Sequence, residues 1–120
     1  MAQQPTVLVV DDEAPIRKML TEVLKLEGFP VETAVNGREA LDMLARSGPR
    51  VVLLDISMPV MTGREVMQAL DANPSERARH RIILMSALDR LQAASDLQPD
   101  ARLAKPFTVE QLLNVLALNE

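Results

Sequence analysis

The feature that most constrains this chain is an alternation. Five short apolar runs, each bounded by polar or turn residues, take turns with five segments of helical periodicity. A short, nearly continuous apolar run suits a strand covered on both faces, and a helix between consecutive strands supplies the crossover that a parallel sheet requires. The pattern predicts an α/β fold: a doubly wound, five-stranded parallel sheet with helices on both faces. The repetition is structural, with no sequence period of the solenoid kind. At 120 residues the chain has room for one core, so a single domain is expected over residues 1–120.

Local signals mark the elements. Thr6 to Val10 is nearly all Val and Leu and reads as a central strand. The first helix has Pro15 near its start, Ile16, Leu20, Val23 and Leu24 on one face, and Gly28 as its C-terminal cap. A second strand over Pro30 to Ala34 leads to Asn36, which can cap the next helix, with Glu39 completing a capping box. That helix ends near Ser47-Gly48-Pro49. Val51 to Leu54 forms the third strand and ends on Asp55. Thr62 and Glu65 repeat the capping-box spacing ahead of Val66, Met67 and Leu70, with Asn73-Pro74 as the stop. Ile82 to Met85 is the fourth strand, followed by a weaker helix over about Leu88 to Leu97. A short fifth strand near Arg102 to Ala104 meets Lys105-Pro106, and Thr108 to Gln111 caps a last helix carrying Leu112, Leu113, Val115 and Leu116.

Composition narrows the function classes. A 48% hydrophobic and 25% charged chain is an ordinary globular one. The net charge of −4 argues against direct nucleic-acid binding, which needs clustered Lys and Arg. With no cysteine, disulfides, thiolate metal sites and cysteine nucleophiles are excluded. No stretch approaches the ~20 apolar residues of a membrane span, and no signal-peptide pattern opens the chain, so a cytoplasmic, non-membrane protein is expected.

Ligands of open parallel α/β sheets bind at the carboxyl ends of the strands. There the chain offers Asp11-Asp12 after strand one, Asp55 after strand three, Ser86 after strand four and Lys105 after strand five. Singly, each has a bland reading: Asp12 as a helix cap, Asp55 as a polar strand end, Ser86 as a turn residue, Lys105 as a solvated charge. Together, three close carboxylates repel one another and call for a cation. Hard oxygen ligands without His or Cys point to Mg²⁺, which keeps several waters and pairs with phosphate oxygens. Lys105 and Ser86 can hold phosphoryl oxygens, and Asp55 can act as the nucleophile that forms an acyl phosphate.

The segments VLVVDDE, LLDISMPVMTG, ILMSA and LAKPF, in this order, resemble the four signature segments of response-regulator receiver domains, and the resemblance runs over essentially the whole chain. It implies strand order 2-1-3-4-5, the flavodoxin-like winding. It also implies a signalling switch of a two-component system, taking a phosphoryl group from a histidine kinase or histidine phosphotransfer protein onto Asp55 with Mg²⁺ and then regulating an output partner or domain. Such a chain is not an enzyme in the usual sense, although it promotes its own phosphotransfer and autodephosphorylation. The metal ligands so implied are Asp12 and Asp55 directly, Asp11 through water, and the Ser57 backbone carbonyl. Ser86 and Lys105 take the roles of the hydroxyl and the lysine that meet the phosphoryl group. Pro59 and Gly63 match the loop after the acceptor, and Pro106 follows the lysine across a bond commonly cis. A monomer or weak dimer is expected.

Two departures stand out. Receivers commonly carry an aromatic residue three positions before the lysine, where this chain has Arg102, and the segment from Ser86 to Lys105 is a few residues short. Met58 and Met61 read as gap fillers, and His80, the only histidine, as a solvated loop residue. A phosphohydrolase with an aspartyl nucleophile generally places a second acid where Ser57 stands. A pseudoreceiver acting only in binding would lack the acceptor, an acid or the lysine, none of which is missing here.

Overall fold

In the computed structural model, which describes residues 4–117, the elements run β1 (Val7–Val10), α1 (Ala14–Leu26), β2 (Val31–Ala34), α2 (Gly37–Ala45), β3 (Val51–Asp55), α3 (Gly63–Asp71), α4 (Pro74–Ala78), β4 (Arg81–Ala87), α5 (Leu88–Ala93), β5 (Ala101–Lys105) and α6 (Val109–Ala117). All four strand pairings are parallel and the order is β2-β1-β3-β4-β5. The α/β class and the flavodoxin-like winding expected from the sequence are therefore present.

Every residue of β1 and β3 is buried, because alternate side chains point to opposite faces and both faces are covered. Leu8, Val10, Val52, Leu54, Ile82 and Leu84 face one core with buried residues of α2, α3 and α5. Val7, Val9, Val51, Leu53, Ile83 and Met85 face the other, against Leu20 and Leu24 of α1 and Leu112, Val115 and Leu116 of α6. Two layers of helix thus clamp the sheet and hold its strand ends level.

The helix termini follow their sequence signals. Gly28 has φ +91°, its N–H donates to the Lys25 carbonyl, and the Phe29 N–H donates to that of Leu24, the two bonds of a Schellman cap. Thr62 and Glu65 form a complete capping box on α3. Thr108 and Gln111 bond reciprocally at the start of α6. Asn36 caps α2 by accepting from the Glu39 N–H, while the Glu39 side chain reaches one residue further back, to the Val35 N–H.

Three expectations are corrected. Asn73-Pro74 does stop α3, but Pro74 then opens a further helical turn, α4, because proline fits the first helical position, where no N–H is needed. His80 is not solvated: it is 4% exposed, its Nδ1 accepts from the Arg50 N–H at 3.1 Å, and its Nε2 lies 2.9 Å from Glu76 Oε2. Since Nδ1 faces a donor, the ring proton sits on Nε2 and is donated to Glu76. The helix after β4 is also shorter than the segment read from periodicity, covering Leu88–Ala93.

Candidate functional site

Parallel register builds the site. Val10 pairs with Leu54, so the next residues of the two strands, Asp11 and Asp55, emerge side by side. Across β4 and β5, Asp55 pairs with Met85, Ser86 with Ala104, and Ala87 with Lys105. One sheet edge consequently carries Asp11, Asp12, Asp55, Ser86 and Lys105, all five of the side chains singled out from sequence.

A carboxylate oxygen from each of Asp11, Asp12 and Asp55 lies within 4.8 Å of the others. Lys105 Nζ donates to Asp11 Oδ2 at 2.8 Å and stands 3.6 Å from Asp55 Oδ2. Asp11 is fully buried: its Oδ1 accepts from the Glu13 N–H, and its backbone carbonyl accepts from Arg17 Nη1. Asp12 is exposed and does not cap α1, whose N-cap is Glu13 without a side-chain cap. The bland reading of Asp12 is thereby removed, and its carboxylate remains directed to the acidic cluster.

Charge at this edge is finely opposed. Burial drives the Asp55 carboxyl up to about 6, with Lys105 pulling it down, Asp11 pushing it up, and the Ser57 N–H, which donates to Oδ1 at 3.3 Å, favouring the charged form. Burial disfavours the Lys105 ammonium, but the Asp11 hydrogen bond and the charges of Asp55 and Asp11 outweigh it and hold its pKa above the ordinary lysine value. Three acids against one ammonium leave a site in need of further positive charge. The donor set is all oxygen, hard and carboxylate-rich, which fits Mg²⁺.

The loop after Asp55 is held by close backbone approach. Gly63 N–H donates to the Ile56 carbonyl at 2.8 Å, and a Cβ at Gly63 would come within 2.4 Å of the Asp55 carbonyl oxygen. Any side chain there would push α3 off the acceptor strand. Met58 is buried and Met61 packs against the same core, in keeping with the filler reading. Val60, 72% exposed, takes φ 70°, a conformation unusual for a β-branched residue. The Lys105-Pro106 bond is cis. Arg102 is exposed and donates from Nη2 to the Leu97 carbonyl at 2.7 Å.

Two arginines at the site were not singled out from sequence. Arg17 bonds the Asp11 carbonyl, and Arg90 Nη1 donates to Ser57 Oγ. A charge in a helical turn reads in sequence as a solvated one, so neither carried a signal of its own.

Residues 7–117 match the family model described as response regulator receiver domain. Among curated relatives, the chain is 38% identical over 110 residues to the response regulator MprA of Mycolicibacterium vanbaalenii, covering 89% of this chain and 46% of that protein. It is 37% identical over 112 residues to the sporulation initiation phosphotransferase F of Bacillus subtilis, covering 88% of this chain and 86% of that one. Several of these relatives are thus about twice the length of the matched segment. Among solved structures, the response regulator protein TrrA of Thermotoga maritima, crystallised in complex with Mg²⁺-BeF, superposes with a TM-score of 0.83 at 33% identity, covering 95% of this chain and 97% of that one.

Proposed function

The chain belongs to the response regulator receiver domain family, and from that membership we propose that it is a phosphorylation switch in which Asp55 accepts a phosphoryl group from a histidine kinase or a histidine phosphotransfer protein. The observation that carries the reading is the convergence of Asp11, Asp12 and Asp55 within 4.8 Å with Lys105 bonded among them. That arrangement has a nucleophile, a cation-binding acidic cluster and a fixed ammonium at one sheet edge.

Asp12 and Asp55 would hold Mg²⁺ directly, with Asp11 acting through water and the Ser57 carbonyl as a further ligand; the ion would offset carboxylate charge and orient phosphoryl oxygens. This chain's residues do the rest. An Asp55 carboxylate oxygen attacks phosphorus in line, the bond to the donor breaks, and the electron pair leaves with the donor group. Lys105, already 3.6 Å from Asp55, pairs with one phosphoryl oxygen, and Ser86, one residue beyond the β4 partner of Asp55, donates to another. The TrrA structure, with Mg²⁺ and a beryllium fluoride group, supports this use of the fold. Autodephosphorylation at the same residues would follow, and the output partner or domain would read the changed surface.

The test is direct. With Mg²⁺ and acetyl phosphate, intact mass is expected to rise by one phosphate, and Asp55→Asn to abolish the gain. Equal labelling of the variant would remove Asp55 from the acceptor role. Steady turnover of external phosphate esters would favour a hydrolase instead.

A further inference from the structure

Resting on the role given above to Asp12 as a direct Mg²⁺ ligand, we infer that Arg17 is a positioning residue of the cation site, holding the peptide between Asp11 and Asp12 so that the Asp12 carboxylate meets the ion at a fixed angle. Only Asp11, Asp12 and Glu13 join β1 to α1. Arg17 lies in the first turn of α1, and its Nη1 reaches back to donate to the Asp11 carbonyl at 2.7 Å. That carbonyl belongs to the peptide whose N–H is that of Asp12. On the other side, the Glu13 N–H donates to Asp11 Oδ1 at 2.9 Å, so the backbone is gripped both before and after Asp12.

The side chain of Asp12 has no such grip. It is exposed, caps no helix and, among the described residues, enters no ion pair. Asp11, by contrast, is held by Lys105 at 2.8 Å, and Asp55 by the Ser57 N–H. Of the three acids, Asp12 is therefore the one whose direction depends on its backbone. Mg²⁺ accepts only near-ideal octahedral geometry, and groups that orient its ligands weigh heavily in affinity. The charge of Arg17 works the opposite way. Its guanidinium is half-buried, stays protonated and, among the described residues, pairs with no carboxylate, so as a bare cation beside three acids it repels Mg²⁺. Removing it tightens Mg²⁺ binding if charge is its whole effect, and weakens binding if its hydrogen bond sets Asp12. The bond, charge-assisted and partly shielded, outweighs a charge that solvent screens at exposed Asp12.

Mg²⁺ alone is titrated into wild type, Arg17→Met, Arg17→Gln, Lys18→Met, Asp12→Asn and the double variant Asp12→Asn with Arg17→Met, with affinity read from backbone amide shifts and folding from melting temperature. Both Arg17 variants are expected to bind Mg²⁺ about tenfold more weakly. Lys18→Met, which removes a neighbouring exposed charge, should bind at least as tightly as wild type. In the Asp12→Asn background, Arg17→Met should add no further loss. With acetyl phosphate, the Mg²⁺ concentration for half-maximal labelling of Asp55 should rise by the same factor, while the rate at saturating Mg²⁺ stays that of wild type. Equal or tighter Mg²⁺ binding in the Arg17 variants, the same loss in Lys18→Met, or an undiminished loss without the Asp12 carboxylate would each overturn this role. So would a lower saturating rate, which would put Arg17 at the acceptor itself. A wild-type chain that bound no Mg²⁺ would instead remove the function on which the role rests.

Discussion

Burial at the end of β3 holds the Asp55 carboxyl at about 6 against the pull of Lys105. Its ordinary value is 3.8, so the folded chain takes up this proton more readily than the unfolded one. The stability linked to it is present below pH 3.8 and is lost as pH rises through 6. In Mg²⁺-free protein at pH 7, Asp55→Asn should therefore be more stable than wild type by about 1–2 kcal/mol, after allowance for solvent relaxation around the carboxylate. Urea titrations at pH 4 and pH 7 check this: the gap should shrink at the lower pH, and a variant that is less stable at both would mean the carboxylate is well compensated without metal. At this scale the convergence of the candidate site was readable from sequence, because Asp11, Asp12, Asp55, Ser86 and Lys105 each lie at the end of a strand and parallel register leaves their order no freedom. Arg90 and Arg17 were not readable. Their partners, Ser57 Oγ and a backbone carbonyl, carry no charge that a sequence could match to them.

Elements were legible in proportion to their length. α1 spans 13 residues with a proline start and a glycine stop, and both signals act as expected. α4 has five residues and no buried side chain, too short to show a helical period, so its polar stretch read as loop and its histidine as solvated. The turn instead aims Glu76 at His80 and seats the ring under the β3 entrance, where it accepts the Arg50 N–H. The His80 hydrogen bond, followed by Arg79, holds the Glu76 carboxyl below its usual range. Replacing the ring with an apolar side chain of similar bulk leaves that amide donor without its acceptor at a partly buried position. His80→Leu should cost about 1–3 kcal/mol, read as a lower urea midpoint at unchanged slope. A midpoint within error of wild type would show that water replaces the ring nitrogen and that the bond is dispensable.

Across the whole molecule, helices clamp the sheet on both faces, and on the proposed function the segment from Ser86 to Arg102 is the part expected to answer a new charge at Asp55. Phosphorylation of Asp55, as proposed, would place about −1.5 to −2 charges near pH 7 where the carboxylate carried one, drawing Ser86 and Lys105 inward and biasing the loop between them. α5 has six residues, and its segment is tied to its surroundings by arginines: Arg90 to Ser57, Arg64 to Asp96 at 2.7 Å, and Arg102 to the Leu97 carbonyl. An aromatic side chain at position 102 could turn deeper into the cleft of about 410 Å³ that Arg102 itself lines with Leu88, Leu91, Gln92, Ser95 and Ala104. A guanidinium turned the same way would give up the Leu97 carbonyl and water for a wall made largely of leucine and alanine, an unfavourable exchange. Arg102 is therefore expected to keep its bond to Leu97 in both states, and the response to fall on residues 86–91. Amide hydrogen exchange of the free and the Mg²⁺-beryllofluoride forms, with a structure of each, measures this. Changed protection over Ser86 to Leu91 with Arg102 still outward is the expected result, whereas an inward Arg102 with residues 86–91 unchanged would mean that the arginine has taken over the aromatic role.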